Sequence, residues 1–152
     1  LVVFAEGWPA SAYARASARP VAFLDSVDAP AAAAAIAFSA SDETARSAAR
    51  AYAAAAGKKA VELFDRPGLV VLRTLLQLAN AAADAVRDRV GEASGIDRAM
   101  RFGANYPYGP LAWVQSFGFA RAVEALDAIS KETGEPMYRA CEYLRAEARK
   151  QV

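Results

Sequence analysis

With 152 residues, the chain is long enough for one compact domain, or for a helical domain beside a remnant of another. Its formal net charge is +1, and Lys and Arg are interspersed with Asp and Glu, so no basic stripe favours binding to nucleic acid. One cysteine and no histidine leave neither a zinc site nor a cysteine–histidine nucleophile pair, and they remove the commonest general base near neutral pH.

The sequence shows no sign of membrane insertion or secretion. The longest strongly apolar run, Leu69 to Leu78, is broken by Arg73 and Gln77 and is too short to span a bilayer. No basic segment precedes Leu1, so we expect no signal peptide. Cys141, at helical spacing with apolar neighbours, is predicted to be a core thiol. A single cysteine cannot form an internal disulfide, which fits a reducing cytoplasm. Because the chain begins with Leu rather than Met, we expect a piece of a longer protein.

Residues 1–65 alternate short apolar runs with helical segments. The runs predict strands at 2–5, 20–25, 33–39 and 59–64, and the segments between them predict helices at 11–18 and 42–56. Ser41 is the expected N-cap of the second helix, and Gly57 its C′ residue. Asp25 ends the second strand, but no Gly-x-Gly-x-x-Gly loop precedes it, which disfavours a ribose-binding role.

The pattern becomes purely helical from Leu69. Apolar residues at helical spacing predict a long helix up to Val90, which Gly91 stops. The same helix carries a polar stripe at intervals of three and four residues: Arg73, Gln77, Asn80, Asp84 and Arg87. This stripe is either a solvated face or a face turned towards a partner domain or ligand.

Four shorter helices are predicted to follow. Ser94 and Asp97 have the form of a capping box, which starts a helix that ends near Phe102. Pro110 suits the first turn of the next helix, and a third should end at Gly134. The last is predicted to open at Pro136 and to carry on one face Met137, Cys141, Leu144 and Ala148.

Three segments occur in a fixed order. They are Pro67-Gly68-Leu69-Val70-Val71-Leu72-Arg73, then Gly95-Ile96-Asp97-Arg98-Ala99-Met100, then Asn105-Tyr106-Pro107-Tyr108-Gly109-Pro110. This series resembles the C-terminal helical domain of 3-hydroxyacyl-CoA dehydrogenases. It is most similar to the second, degenerate copy of that domain in the two-copy enzymes of phenylacetate catabolism and in their 3-hydroxybutyryl-CoA relatives.

The resemblance implies a mainly α fold with a small α/β part. Residues 1–66 would be a truncated, degenerate remnant of a nucleotide-type α/β fold, and residues 67–152 the helical C-terminal domain. In this family the nucleotide domain carries the glycine motif and a catalytic His–Glu pair, and an Asn near the start of the helical domain lies beside the substrate. Leu72 stands at that Asn position, so we expect no catalytic, cofactor-binding or metal site in this chain.

The implied function is that of a non-catalytic part of an NAD-dependent oxidoreductase of fatty acid metabolism. The parent enzyme would bind NAD and oxidise 3-hydroxyacyl-CoA to 3-oxoacyl-CoA, while this part forms a homodimer, or a pseudo-dimer with the other helical copy, and contributes to acyl-CoA binding. The residues expected on the substrate side or at the interface are Leu72, Arg73, Asn80, Asn105, Tyr106, Tyr108 and Trp113. The alternative is a stand-alone helical module that binds acyl-CoA or another protein. Neither hypothesis involves nucleic acid or a membrane.

Overall fold

A computed structural model describes residues 1–25 and 33–150 of the chain. The chain divides into two compact units, Leu1–Arg73 and Thr74–Val152. The first contains all the strands found in the described residues, and the second is helical. This confirms the predicted mainly α fold with a small α/β part.

The first unit is built on a mixed sheet. Within the described ranges the strands lie in the order β1 (Val2–Phe4), β2 (Ala22–Leu24), β3 (Ala35–Ala40) and β4 (Lys59–Glu62). β1 is parallel to β2 and β3 is parallel to β4, whereas β2 and β3 are antiparallel. The carboxyl ends of β1 and β2 therefore lie at the opposite edge of the sheet from those of β3 and β4.

Two helices make the connections between the parallel strands. α1 (Ala10–Ser17) joins β1 to β2, and α2 (Glu43–Ala55) joins β3 to β4, as parallel pairing requires a crossover. α2 buries an alanine on each successive turn in one core cluster with Ile36 and Phe38 of β3, namely Ala45, Ala49 and Ala53. Because alanine lacks side-chain bulk, a helix lined by it can approach a sheet closely.

The second unit is a set of helices joined by short turns. The helices are α3 (Val71–Arg87), which begins in the first unit, α4 (Ala93–Gly103), α5 (Pro110–Phe117), α6 (Phe119–Thr133) and α7 (Glu142–Arg149), with a 3₁₀ turn at Pro136–Tyr138. α6 packs against both α7 and α5, and α4 packs against α5. Fully buried aliphatic side chains from α3, α6 and α7 include Leu76, Leu126, Ile129 and Leu144. Among the described residues, no helix has the length and apolar character needed to cross a bilayer.

The predicted N-cap of α2 was wrong by one residue. Asp42, not Ser41, is the N-cap, and its carboxylate accepts a hydrogen bond from the Ala45 amide at 2.8 Å. The Ser41 hydroxyl accepts a hydrogen bond from the amide of Val21 at 3.0 Å instead. Ser41 lies directly after β3 and beside the start of β2, so its hydroxyl links these two neighbouring strands and does not cap α2.

The long helix α3 is shorter at both ends than predicted. Gly68 and Leu69 have φ values of 69° and 46°, in the left-handed region, so the helix begins only at Val71. At the other end Arg89 has φ 59°, and the helix stops at Arg87 rather than at Val90.

The capping box predicted at Ser94 is also wrong. α4 begins at Ala93 with Glu92 as its N-cap, and no side chain caps its first turn. The carboxylate of Asp97 accepts hydrogen bonds from the amides of Leu111 and Ala112, at 2.8 and 2.9 Å. Asp97 therefore caps α5, a helix that begins after the next loop.

The single helix predicted from Pro136 onwards is two elements. The 3₁₀ turn ends at Tyr138, and α7 begins after Cys141, whose extended backbone makes it the N-cap. Met137 is consequently 62% exposed and does not share a face with Leu144, which is fully buried. Cys141 itself is buried, as predicted for a core thiol.

Candidate functional site

Two of the predicted site residues lie in the first turn of α3. Leu72 is 1% exposed, so its side chain belongs to the interior. Arg73 donates two hydrogen bonds from its guanidinium to the carbonyl oxygen of Pro67, at 3.0 and 2.5 Å. These contacts tie the helix to the Pro-Gly turn that precedes it, and they give Arg73 a role within this chain.

The N-terminus of α3 is bound by the carboxylate of Asp25, which follows β2. Its oxygens accept hydrogen bonds from the amides of Val70, at 3.0 Å, and of Val71, at 2.9 and 3.2 Å. Burial raises the pKa of Asp25 above its ordinary value, and the backbone hydrogen bonds oppose that shift. A carboxylate at a helix N-terminus satisfies amides that have no partner within the helix. Because the Asp25 oxygens already accept hydrogen bonds from the backbone of α3, they are not available to bind a ribose.

A second carboxylate plays the same part at α1. The oxygens of Asp65 accept hydrogen bonds from the amides of Ala10 and Ser11, at 2.7 and 2.8 Å, and from the hydroxyl of Ser39 at 3.0 Å. This capping role of Asp65 was not predicted from the sequence. One feature is compatible with this role. The N-cap of α1 is Pro9, which has no side chain that could accept a hydrogen bond, so the first amides of the helix need an acceptor from elsewhere in the chain.

Asn80 lies at the centre of the polar stripe and is buried. Its side-chain amide donates to the carbonyl of Arg139 at 3.1 Å, and its oxygen accepts from the amide of Cys141 at 2.8 Å. The side chain of Gln77, one turn earlier, donates to the carbonyl of Met137 at 3.0 Å. Gln77 and Asn80 therefore bind the backbone from the 3₁₀ turn to the start of α7. The middle of the stripe is neither a solvated face nor a face turned towards a partner domain or ligand, which were the two predicted interpretations.

The aromatic loop between α4 and α5 is where predicted site residues are exposed. Asn105 adopts a positive φ of 56°, and the amide of Tyr106 donates to the carbonyl of Met100 at 3.3 Å, which folds the loop back on α4. Tyr106 is 37% exposed and Tyr108 is 60% exposed. These three residues form one continuous surface segment.

The end of this loop is fixed by a close contact. A Cβ atom on Gly109 would lie 2.2 Å from Cγ of Asp97, and the hydrogen bonds from α5 hold that carboxylate in place. Glycine is required here because any side chain would displace the cap of α5. This supports a tight structural turn at Gly109 and Pro110.

Trp113 is buried on α5. Its ring stacks on that of Phe117 with centroids 5.1 Å apart, and the guanidinium of Arg121 lies 4.4 Å from the centroid of the Phe117 ring. Such contacts are typical of packing between an aromatic pair and a cation. Trp113 therefore belongs to the packed interior of the second unit and is not presented at its surface.

The groups that could perform chemistry are few. Across residues 1–25 and 33–150 no group of three or more His, Cys, Asp or Glu side chains could hold a metal ion. Burial raises the pKa of the Cys141 thiol, which disfavours the nucleophilic thiolate. The sequence contains no Gly-x-Gly-x-x-Gly fingerprint, and Asp25 is engaged at α3, so the residues in the described part of the chain do not fit NAD. This arrangement can support structure and contacts, and it supplies no general base from histidine.

Known proteins share both the sequence and the fold of the chain. The chain is 36% identical to the 3-hydroxyadipyl-CoA dehydrogenase of Escherichia coli over 148 residues, which are 97% of this chain and 31% of that protein. It is 37% identical to a probable 3-hydroxybutyryl-CoA dehydrogenase of Bacillus subtilis over 89 residues, 59% of this chain and 31% of that protein. The chain thus spans about a third of the length of these curated relatives.

A solved structure gives the same result. The crystal structure of 3-hydroxybutyryl-CoA dehydrogenase from Escherichia coli matches with a TM-score of 0.89 and 34% identity, over 99% of this chain and 32% of that one. The family model "3-hydroxyacyl-CoA dehydrogenase, C-terminal domain" matches residues 68–151. Through this domain, which begins at the Pro-Gly turn before α3, the chain belongs to the 3-hydroxyacyl-CoA dehydrogenase family.

Proposed function

We propose that the chain is the C-terminal, non-catalytic part of a cytoplasmic, NAD-dependent 3-hydroxyacyl-CoA dehydrogenase. The parent enzyme would oxidise 3-hydroxyacyl-CoA to 3-oxoacyl-CoA, with NAD and the general base supplied outside this chain. The observation that carries the proposal is the family domain over residues 68–151 in a chain that contains no histidine. Leu72 adds to it, because a leucine cannot hydrogen bond to a substrate oxygen.

We further propose that residues 1–66 are the remnant of a nucleotide-type fold and residues 67–152 the helical domain, as in a second, degenerate copy. The two parallel strand pairs with their crossover helices support the nucleotide-type origin, and the opposite directions of the two pairs support its degeneracy, since their carboxyl ends do not meet at one ligand crevice. The start of the family domain at Gly68 supports the second. The hydrogen bonds from Val70 and Val71 to Asp25 account for the extension of the first compact unit to Arg73.

We propose two roles for the helical part. It forms a homodimer, or a pseudo-dimer with the other helical copy. It also contributes to acyl-CoA binding at an active site that lies elsewhere in the parent enzyme. Among the candidate residues, Asn105, Tyr106 and Tyr108 are exposed and would make direct contacts. The others would contribute only through the fold of the unit in which each lies: Leu72, Arg73, Asn80 and Trp113.

The proposal is tested on the full-length protein that contains this chain. We expect it to reduce NAD in the presence of a 3-hydroxyacyl-CoA, measured by NADH absorbance, with 3-hydroxybutyryl-CoA and 3-hydroxyadipyl-CoA as the first substrates. Failure with a panel of 3-hydroxyacyl-CoA esters would contradict the proposal. If that inactive protein still bound acyl-CoA by calorimetry, the result would favour the alternative of a stand-alone binding module.

A further inference from the structure

We draw no further inference here: the strongest candidate, the exposed aromatic surface of Phe102, Tyr106 and Tyr108 at the end of α4 and in the loop before α5, carries nothing beyond the proposed function because nothing in the described residues shows what covers it.

Discussion

The segment around the buried Asn80 of α3 and the exposed loop after α4 differ in whether their side chains face the protein interior or the solvent. Both the nitrogen and the oxygen of the Asn80 side-chain amide form hydrogen bonds with backbone groups that precede α7. Tyr106 and Tyr108 instead present their rings at the surface. Both regions lie within residues 68–151, which match the family domain, so that match alone does not distinguish a residue that holds the fold from one at the surface. Burial and hydrogen-bond partners distinguish these two cases.

The largest expected difference separates Trp113 from Tyr108. Trp113→Ala removes a buried, stacked ring and should lower the free energy of unfolding by about 3–5 kcal/mol. Tyr108→Ala changes an exposed ring and should stay within about 0.5 kcal/mol of the wild type. Denaturant unfolding of the two variants measures both values. If Tyr108→Ala lowered the free energy of unfolding as much as Trp113→Ala does, Tyr108 could not be treated as a surface residue with no part in stability.

The proposed role of Tyr108 has its own readout in the full-length protein. If the loop makes the dimer or pseudo-dimer contact, Tyr108→Ala should weaken association or raise the KM for acyl-CoA without loss of folding. Sedimentation and steady-state kinetics would show this. Unchanged values for both would remove Tyr108 from the proposed contact surface.

A smaller loss is expected at Asn80. Asn80→Ala leaves the carbonyl of Arg139 and the buried amide of Cys141 without their partner, which should cost about 2–3 kcal/mol in unfolding free energy. Gln77→Ala is the matched control, because it removes one exposed hydrogen bond and should cost about 0.5–1 kcal/mol. Equal losses in the two variants would contradict the role assigned to Asn80. The measurement is urea unfolding followed by circular dichroism.

Gly109 and Gly103 provide a comparison within the same short region. Gly109→Ala should destabilise the chain by about 1–3 kcal/mol, since the new Cβ forces Asp97 away from the amides of α5. Gly103→Ala meets nothing within 4 Å at the end of α4 and should be neutral or stabilising, by up to about 1 kcal/mol. Thermal melts of the pair suffice. A neutral Gly109→Ala would show that the Asp97 contact is not required.

The smallest effect is a change in pH dependence at Asp25. Because burial raises its pKa in the folded state, the folded chain binds this proton more tightly than the unfolded chain does. The stability contribution from protonated Asp25 is therefore fully present below the ordinary Asp pKa of about 4 and is lost as pH rises through the folded pKa. Asp25→Asn cannot ionise, so its stability relative to wild type should increase over that rise. Urea unfolding at a series of pH values checks the sign, and a relative decrease would contradict it.

Local rules predicted much of the fold. Gly57 and Gly134 end helices with φ values of 66° and 75°, and Pro110 opens α5, because these preferences depend only on nearby backbone geometry. The motif that begins at Pro67 also identified the family correctly.

Contacts between distant positions could not be predicted in this way. Asp25 caps an amide 45 residues further along the chain, and Asp65 one that lies 55 residues earlier. Asp97 illustrates the difficulty most clearly, since its spacing from Ser94 suits a local capping box while its carboxylate binds α5. The position of a polar residue in the sequence does not show whether its hydrogen-bond partner is a nearby backbone group or one that the tertiary fold brings close.

We propose above that this chain contains no reaction site of its own. The most direct test assays purified residues 1–152 and the full-length protein with NAD and 3-hydroxybutyryl-CoA or 3-hydroxyadipyl-CoA, by NADH formation at equal molar concentration. We predict turnover by the full-length protein and none by residues 1–152 alone. Turnover by residues 1–152 alone would show that this chain contains a reaction site.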